Sequence, residues 1–247
     1  MTESDKVIEQ AFAQPNWYLT KTAYNIRIRI ETIKEFTQDL APERILDIGC
    51  GDGSLSAHLL TPKNHLTLLD RSKAMLDIAR SRIPEQLLPR VRVINNDFMS
   101  ADLDVEGFDL IICVGVLAYI RERRAFIDKI SSVLKPGGTV IFECTDGKHI
   151  ITHLVRVYGA IKRALVGGKF PTTARPSSEL VAMSRECGLQ LGKQFRYALP
   201  LPGLRRLLPQ QAKYRIIRGI YGTPGGNRFA GMGNECLYCF RHNKQHI

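Results

Sequence analysis

The sequence lacks the features that mark a membrane or secreted protein. No apolar run approaches the roughly 18 residues that a membrane-spanning helix requires. The first residues are polar and acidic, without the apolar stretch of a signal peptide. Six cysteines are scattered along the chain, several within apolar runs, which predicts buried reduced thiols and no disulfide framework. We therefore expect a cytoplasmic protein.

Metal ligands in a recognisable spacing are also missing. The pair Cys236 and Cys239 has a zinc-site spacing, but it lies within a predicted strand and no second pair completes a four-ligand set. We expect buried thiols and no metal.

Acidic residues are scarce in the C-terminal part. Residues 147–247 contain 17 Lys and Arg but 3 Asp and Glu, a net charge of +14, whereas residues 1–146 carry −3. Such a basic part suits an acidic substrate, an anionic membrane surface or a nucleic acid, or it is a solvated surface. Nucleic acid is disfavoured, because the basic residues alternate with aliphatic ones and no RNA-binding module is visible.

Short apolar strands alternate with amphipathic helices in the first 145 residues. This alternation predicts a doubly wound, mostly parallel α/β sheet. The expected strands are Arg44–Ile48, His65–Leu69, Val91–Ile94, Phe108–Val114 and Thr139–Cys144, and the expected helices between them are Ser54–Leu60, Ser72–Arg82 and Arg121–Leu134. Further helices at Ile150–Leu165 and Ser177–Gly188 and strands at Leu189–Leu199 and Glu235–Arg241 follow. We divide the chain into an N-terminal helical segment (1–42), a core (43–146) and a remainder (147–247) with insertions at about 146–176 and 199–234.

The loop after the first strand, Asp47-Ile48-Gly49-Cys50-Gly51-Asp52-Gly53, has three alternating glycines. They allow a sharp turn and a close approach of backbone to a ligand. A dinucleotide site would place its third glycine one residue later. A carboxylate at Asp47 repels a pyrophosphate but attracts an ammonium group, so the ligand is predicted to be a zwitterionic amino acid.

Two further carboxylates end the next two strands. Asp70 can accept hydrogen bonds from ribose hydroxyls, although the same residue type also caps helices. Asp97, followed by Phe98, can accept from an adenine amine beside an aromatic ring, although Asn-Asn-Asp is also good turn chemistry. Ligands bind at the carboxyl ends of such strands. Together with Asp47, these residues predict a site for a nucleoside joined to an amino acid.

In order and spacing, these motifs resemble the class I S-adenosylmethionine (SAM)-dependent methyltransferases of the small-molecule (type 11) group. The resemblance covers residues 44–144 strongly, including the loop Asp47–Gly53, Leu69-Asp70-Arg71-Ser72, Asn96-Asp97-Phe98 and Leu134-Lys135-Pro136-Gly137-Gly138. It implies a Rossmann-like, seven-stranded sheet that ends in an antiparallel C-terminal hairpin. The cofactor would be SAM and the product S-adenosylhomocysteine.

The resemblance also assigns roles to individual residues. Gly49, Cys50 and Gly51 would line the methionine part of SAM, with Asp47 near its amino group. Asp70, Arg71 and Met75 would hold the ribose, and Asp97 and Phe98 the adenine. The backbone of Val114 and Gly115 would meet the methionine end. From the residues themselves, we expect the N-terminal segment to form a lid with Trp17, Tyr18, Lys21 and Tyr24, in which Tyr24 or Arg27 meets the SAM carboxylate. Alternatively, these aromatic side chains pack the helix on the sheet.

The acceptor of the methyl group is less defined. Because both insertions mix apolar and basic residues, we expect a small, apolar acceptor with an acidic part, or one linked to a lipid or carrier, and O-methylation in secondary-metabolite or cofactor biosynthesis. His149 is the first candidate for a general base, because imidazole titrates near neutral pH, and Tyr119 would face the pocket. Both are open to a packing role. The alternatives are an RNA or protein methyltransferase that docks through the basic part, a SAM-binding protein without catalysis, and a nucleotide-dependent oxidoreductase.

Overall fold

The structure is a computed structural model that describes residues 23–103, 107–157, 174–199 and 208–243. The predicted lid residues Trp17, Tyr18 and Lys21 lie outside this part of the chain, as do residues 158–173 and 200–207 of the two predicted insertions. In the described ranges, no helix is long and apolar enough to cross a membrane.

Seven strands form a single mixed sheet in the order β3-β2-β1-β4-β5-β7-β6. The first five are parallel, and β7 is antiparallel to both β5 and β6. The predicted doubly wound sheet with a C-terminal antiparallel hairpin is therefore confirmed. The strands are β1 (Arg44–Ile48), β2 (His65–Asp70), β3 (Val91–Asn95), β4 (Phe108–Cys113), β5 (Leu134–Thr145), β6 (Leu189–Tyr197) and β7 (Glu235–His242).

Helices cover both faces of the sheet. On one face lie α1 (Ala23–Thr37), α2 (Lys73–Ser81) and α6 (Gln210–Tyr221), and on the other α3 (Arg123–Val133) and α5 (Ser177–Glu186). Residues 150–157, here called α4, are helical and follow β5. The central strands β1 and β4 are almost fully buried, as their continuous apolar character predicts. The order of strands reverses between β1 and β4, so a crevice forms at their carboxyl ends.

Three local expectations differ from the structure. The predicted helix Ser54–Leu60 is wrong: the segment forms turns and one 3-10 turn, because the Asp52 and Asn64 side chains bond its backbone and compete with helical bonds. Strand β5 begins at Leu134, five residues before the predicted start at Thr139, and its pairing with β4 has an irregularity at Phe108–Leu110. A helix, α6, occupies the predicted loop between the last two strands.

Candidate active site

The glycine loop closes over the end of β1 as a tight backbone cradle. Gly49, Gly51 and Gly53 have φ values of +66°, +53° and +72°, in the left-handed region that only glycine enters at little cost. A Cβ added at Gly49 would lie 2.5 Å from Val116 Cγ2, so no side chain fits there. The loop is fixed by N–H donation from Gly49 and Cys50 to the carbonyl of Leu69, at 2.8 and 3.1 Å. The loop therefore presents bare backbone at the carboxyl end of β1, where ligands bind in such sheets.

Asp47 is the buried carboxylate beneath this loop. It is 2% exposed, and its Oδ2 atom accepts no hydrogen bond from the described residues. Burial raises the pKa of Asp47 to about 7; the nearby Ser56 hydroxyl lowers it in part, and repulsion by Asp70 and Asp52 adds a smaller increase. A buried acceptor atom without a partner fits a cationic ligand group, and the ammonium of an amino acid is such a group.

Asp70 links the glycine loop to the start of α2. Its Oδ2 accepts from the Gly51 N–H at 2.9 Å and its Oδ1 from the Ser72 N–H at 2.8 Å. Each oxygen keeps a second lone pair for a ribose hydroxyl. Ser72 caps α2 by accepting from the Met75 N–H, and the Met75 side chain packs 3.4 Å from the position of a Gly51 Cβ.

Asp97 lies at the end of β3, within reach of the same crevice. One of its oxygens accepts from the Met99 N–H at 2.8 Å, and the other is 3.9 Å from Arg71 Nη1. Phe98 points into the core, 4% exposed, with its ring edge-on to Phe126 at a centroid distance of 5.0 Å. The carboxylate is open to an adenine amine, whereas the Phe98 ring is held by protein. The predicted roles of Asp97, Phe98 and Arg71 toward adenine and ribose stay predictions.

A buried ion pair that sequence reasoning missed lies where β4 ends. Arg29 of α1 meets Glu143 of β5 through two contacts, Nε to Oε1 at 2.7 Å and Nη2 to Oε2 at 2.6 Å. The Arg29 Nη1 atom is 4.0 Å from the position of a Cβ at Gly115, whose φ is +80°. Gly115 follows the buried Val114. In the sequence, the only signal for this ion pair is a pair of arginines on one predicted helix. That signal does not show which of the two, Arg29 or Arg27, faces the sheet.

The two predicted N-terminal contacts, Tyr24 and Arg27, are three residues apart on α1, and both contact α6. Tyr24 is buried and its N–H donates to Gln210 Oε1 at 3.3 Å. Arg27 stacks on the Tyr214 ring at 3.8 Å and pairs with Glu31 at 3.0 Å, on the side of α1 that contacts α6. The structure thus places both residues in the contact between α1 and α6, and their predicted roles toward the SAM carboxylate stay predictions.

The two catalytic candidates differ in how firmly they are held. His149 Nδ1 accepts from the Ile151 N–H at 3.2 Å, so Nε2 carries the proton and donates to the Gly231 carbonyl at 3.0 Å. In this arrangement neither nitrogen is available as a base. Tyr119 follows β4 and is half-exposed. Both catalytic roles stay predictions.

Asp146, next to β5, is a structural anchor. It accepts from Ser177 Oγ and Arg196 Nη2, both at 2.8 Å. Burial raises the pKa of Asp146, but the hydrogen bonds from Ser177 and Arg196 outweigh it and lower the pKa overall. Ser177 is the first residue of α5, and Pro176 occupies the N-cap position. The cluster ties β5, α5 and β6 together.

The Cys236 and Cys239 thiols cannot share a metal. Side chains three residues apart in a strand point to opposite faces, and the two cysteines belong to the two different core clusters. No group of three metal-ligating side chains occurs within the described ranges.

The fold and this crevice define a Rossmann-like protein that binds a nucleoside joined to an amino acid. The profile of a family described as "Methyltransferase domain" matches residues 45–138. The ubiquinone biosynthesis O-methyltransferase of Hydrogenovibrio crunogenus is 31% identical over 66% of this chain and 68% of its own length. That of Stutzerimonas stutzeri is 32% identical over 66% and 70%. The chain therefore belongs to the class I SAM-dependent methyltransferases, and SAM is its methyl donor.

A solved structure supports the fold over nearly the whole chain. It is a SAM-dependent methyltransferase from Thermotoga maritima, described as a possible histamine N-methyltransferase. It covers 98% of this chain and 100% of its own, with a TM-score of 0.67 at 18% identity. At that identity the likeness establishes the architecture and leaves the acceptor undefined.

Proposed function

We propose that the protein O-methylates a small acceptor that has an apolar body and an acidic or ionisable part. The observation that carries this proposal is the likeness to ubiquinone biosynthesis O-methyltransferases, at 31% and 32% identity over two thirds of the chain. The sulfonium of bound SAM supplies an activated methyl group, so the protein's main task is to hold donor and acceptor in line.

The cofactor crevice supports specific roles. Asp47 would accept from the SAM ammonium, Gly49, Cys50 and Gly51 would lie against its methionine part, and Asp70 would accept from the ribose. Arg29, rather than Arg27, would hold the carboxylate, because its guanidinium lies beside Gly115 and is fixed there by Glu143. A bidentate ion pair orients the guanidinium before the ligand arrives.

The acceptor side combines aromatic rings with buried positive charge. Lys213, in the first turn of α6, is 5% exposed, and its ammonium lies 5.5 Å from the centre of the Tyr24 ring. Tyr197, at the end of β6, donates to Asn25 Oδ1. A cation beside aromatic side chains suits an acceptor with an apolar ring and a negative charge.

O-methylation of a weakly acidic hydroxyl needs a proton acceptor. His149 would serve only after its Nε2–H leaves the Gly231 carbonyl and the ring changes tautomer. If His149→Ala retains the full methylation rate and Tyr119→Phe does not, the base role moves away from the histidine.

The decisive experiment measures methyl transfer from SAM to a matched acceptor panel, with product mass as the readout. The panel contains phenols with and without a hydrocarbon chain, the same phenols already O-methylated, aliphatic amines and total RNA. Methylation of free phenols, lost in Asp70→Ala, would support the proposal. Transfer to amines or RNA alone would contradict it.

A paired comparison tests the carboxylate contact. Arg29→Met should raise the dissociation constant for SAM at least about tenfold, through loss of a charge-assisted hydrogen bond, and Arg27→Met should leave it unchanged. Equal effects of the two changes would remove Arg29 from the site. Thermal melts of both variants separate lost binding from lost folding.

A further inference from the structure

Two neighbouring segments at the acceptor side present large apolar side chains to solvent. In α4, Ile150, Leu154 and Val157 are 66%, 54% and 58% exposed. Their spacing places them on one helix face. In the turn before β7, Phe229 and Met232 are 64% and 57% exposed. We call these five side chains the apolar rim.

The two segments form one surface. His149, which precedes α4, donates to the carbonyl of Gly231 at 3.0 Å, and Asn234 Nδ2 donates to Thr152 Oγ1 at 3.1 Å. Both segments also adjoin the carboxyl edge of the sheet, because α4 follows β5 and the turn precedes β7. The apolar rim therefore borders the acceptor side of the crevice.

Besides its exposed side chain, Phe229 has a strained backbone conformation. Its φ is +45°, which makes it the one non-glycine residue of the described ranges in the left-handed region. A bulky residue is uncommon there, and such strain recurs at functional sites. Glycine or asparagine would fit this turn better, so an aromatic ring held outward points to a contact that the ring itself makes.

The charge of the two sequence segments that contain the rim selects the kind of contact. Residues 147–176 and 199–234 each contain six Lys and Arg and no Asp or Glu. Among them, Lys148 and Arg228 are exposed next to α4 and the turn. Apolar side chains flanked by cations, without acidic residues, match the apolar interior and anionic headgroups of a bilayer surface. A nucleic acid would match the cations but not the five apolar side chains.

We propose that the apolar rim docks this methyltransferase on an anionic phospholipid bilayer, with Phe229 and Leu154 inserted at the interface. The docking is peripheral. It would set the acceptor side of the crevice against the membrane, so that an acceptor dissolved in lipid reaches the enzyme without crossing water. That consequence rests on the proposed function, whereas the docking itself does not.

The test is co-sedimentation of the full chain with vesicles of equal parts phosphatidylglycerol and phosphatidylcholine, compared with phosphatidylcholine alone. The variant Phe229→Asn/Leu154→Gln removes both inserted side chains. Asn tolerates positive φ and Gln is a good helix former, so both changes suit the local backbone. Leu40→Gln is the matched control, since Leu40 is 37% exposed and precedes β1, at the amino edge of the sheet and away from the rim.

Wild type and Leu40→Gln should bind the phosphatidylglycerol vesicles, more weakly at high salt, and the double variant should bind at least about tenfold more weakly. SAM binding by calorimetry should be equal in all three. Failure of wild type to bind at low salt, or equal binding by the double variant, would overturn the proposal. So would a concentration-dependent dimer in light scattering that only the double variant lacks, because the rim would then cover a second copy. An acceptor assay that fails while vesicle binding holds rejects the proposed function alone.

Discussion

Asp47→Asn tests whether the buried carboxylate is held in the free protein at a cost that the cofactor offsets. Asn has nearly the same shape and carries no charge. Because burial raises the pKa of Asp47 to about 7 from 3.8, ionisation of this group opposes folding. In the folded protein without ligand, the neutral form is favoured up to near neutral pH.

The magnitude follows from the two pKa values. A shift from 3.8 to about 7 corresponds to about 4 kcal/mol. Because the folded-state pKa is the higher one, the folded state binds more protons between these values, and the free energy of unfolding falls as pH rises through that window. The cost is absent below about pH 4 and fully present above about pH 7.

The assay is urea unfolding without SAM, from about pH 4 to about pH 8. Asp47→Asn should match wild type at the acid end and exceed it by up to about 4 kcal/mol at the alkaline end. Calorimetry should show tighter SAM binding by wild type than by Asp47→Asn, and only wild type should release protons as the ammonium binds near neutral pH, because the ammonium lowers the pKa of Asp47. A variant no more stable than wild type at about pH 8 would refute the reasoning.

Three further predictions concern the backbone cradle, the ion pair and the α1–α6 contact. Gly49→Ala should abolish SAM binding in calorimetry, because its Cβ would lie 2.5 Å from Val116 Cγ2; binding at wild-type affinity would contradict the close fit. Arg29→Met should lower the free energy of unfolding by about 3–5 kcal/mol by leaving Glu143 buried and unpaired, and a second change, Glu143→Leu, should restore most of it. Glu31→Gln should speed hydrogen exchange in α6, because this carboxylate accepts from the Tyr214 hydroxyl at 2.9 Å; unchanged exchange would show that apolar packing alone holds the helix.

Local sequence determined most of the sheet. Strand β1 is predicted residue for residue, and β2, β3 and β4 within one residue, because continuous apolar runs bounded by glycine or aspartate have few other solutions in a parallel sheet. The backbone cradle also follows from local sequence. Gly49 and Gly51, which adopt positive φ, and the carboxylate at the end of β1 all lie within a few residues of one another. The same motifs identified the methyl donor.

Tertiary structure decided what depends on residues far apart in sequence. Arg29 and Arg27 both precede β1 on one helix, and only the packing of α1 over β5 places Arg29 at Gly115 and turns Arg27 toward Tyr214. The hydrogen bond from His149 to Gly231 joins residues 82 apart, so no local pattern shows that the ring is held. The apolar rim is likewise a surface of two segments. The sequence determines which side chain stands at each backbone position. How the helices pack determines which of these side chains share a pocket or a surface.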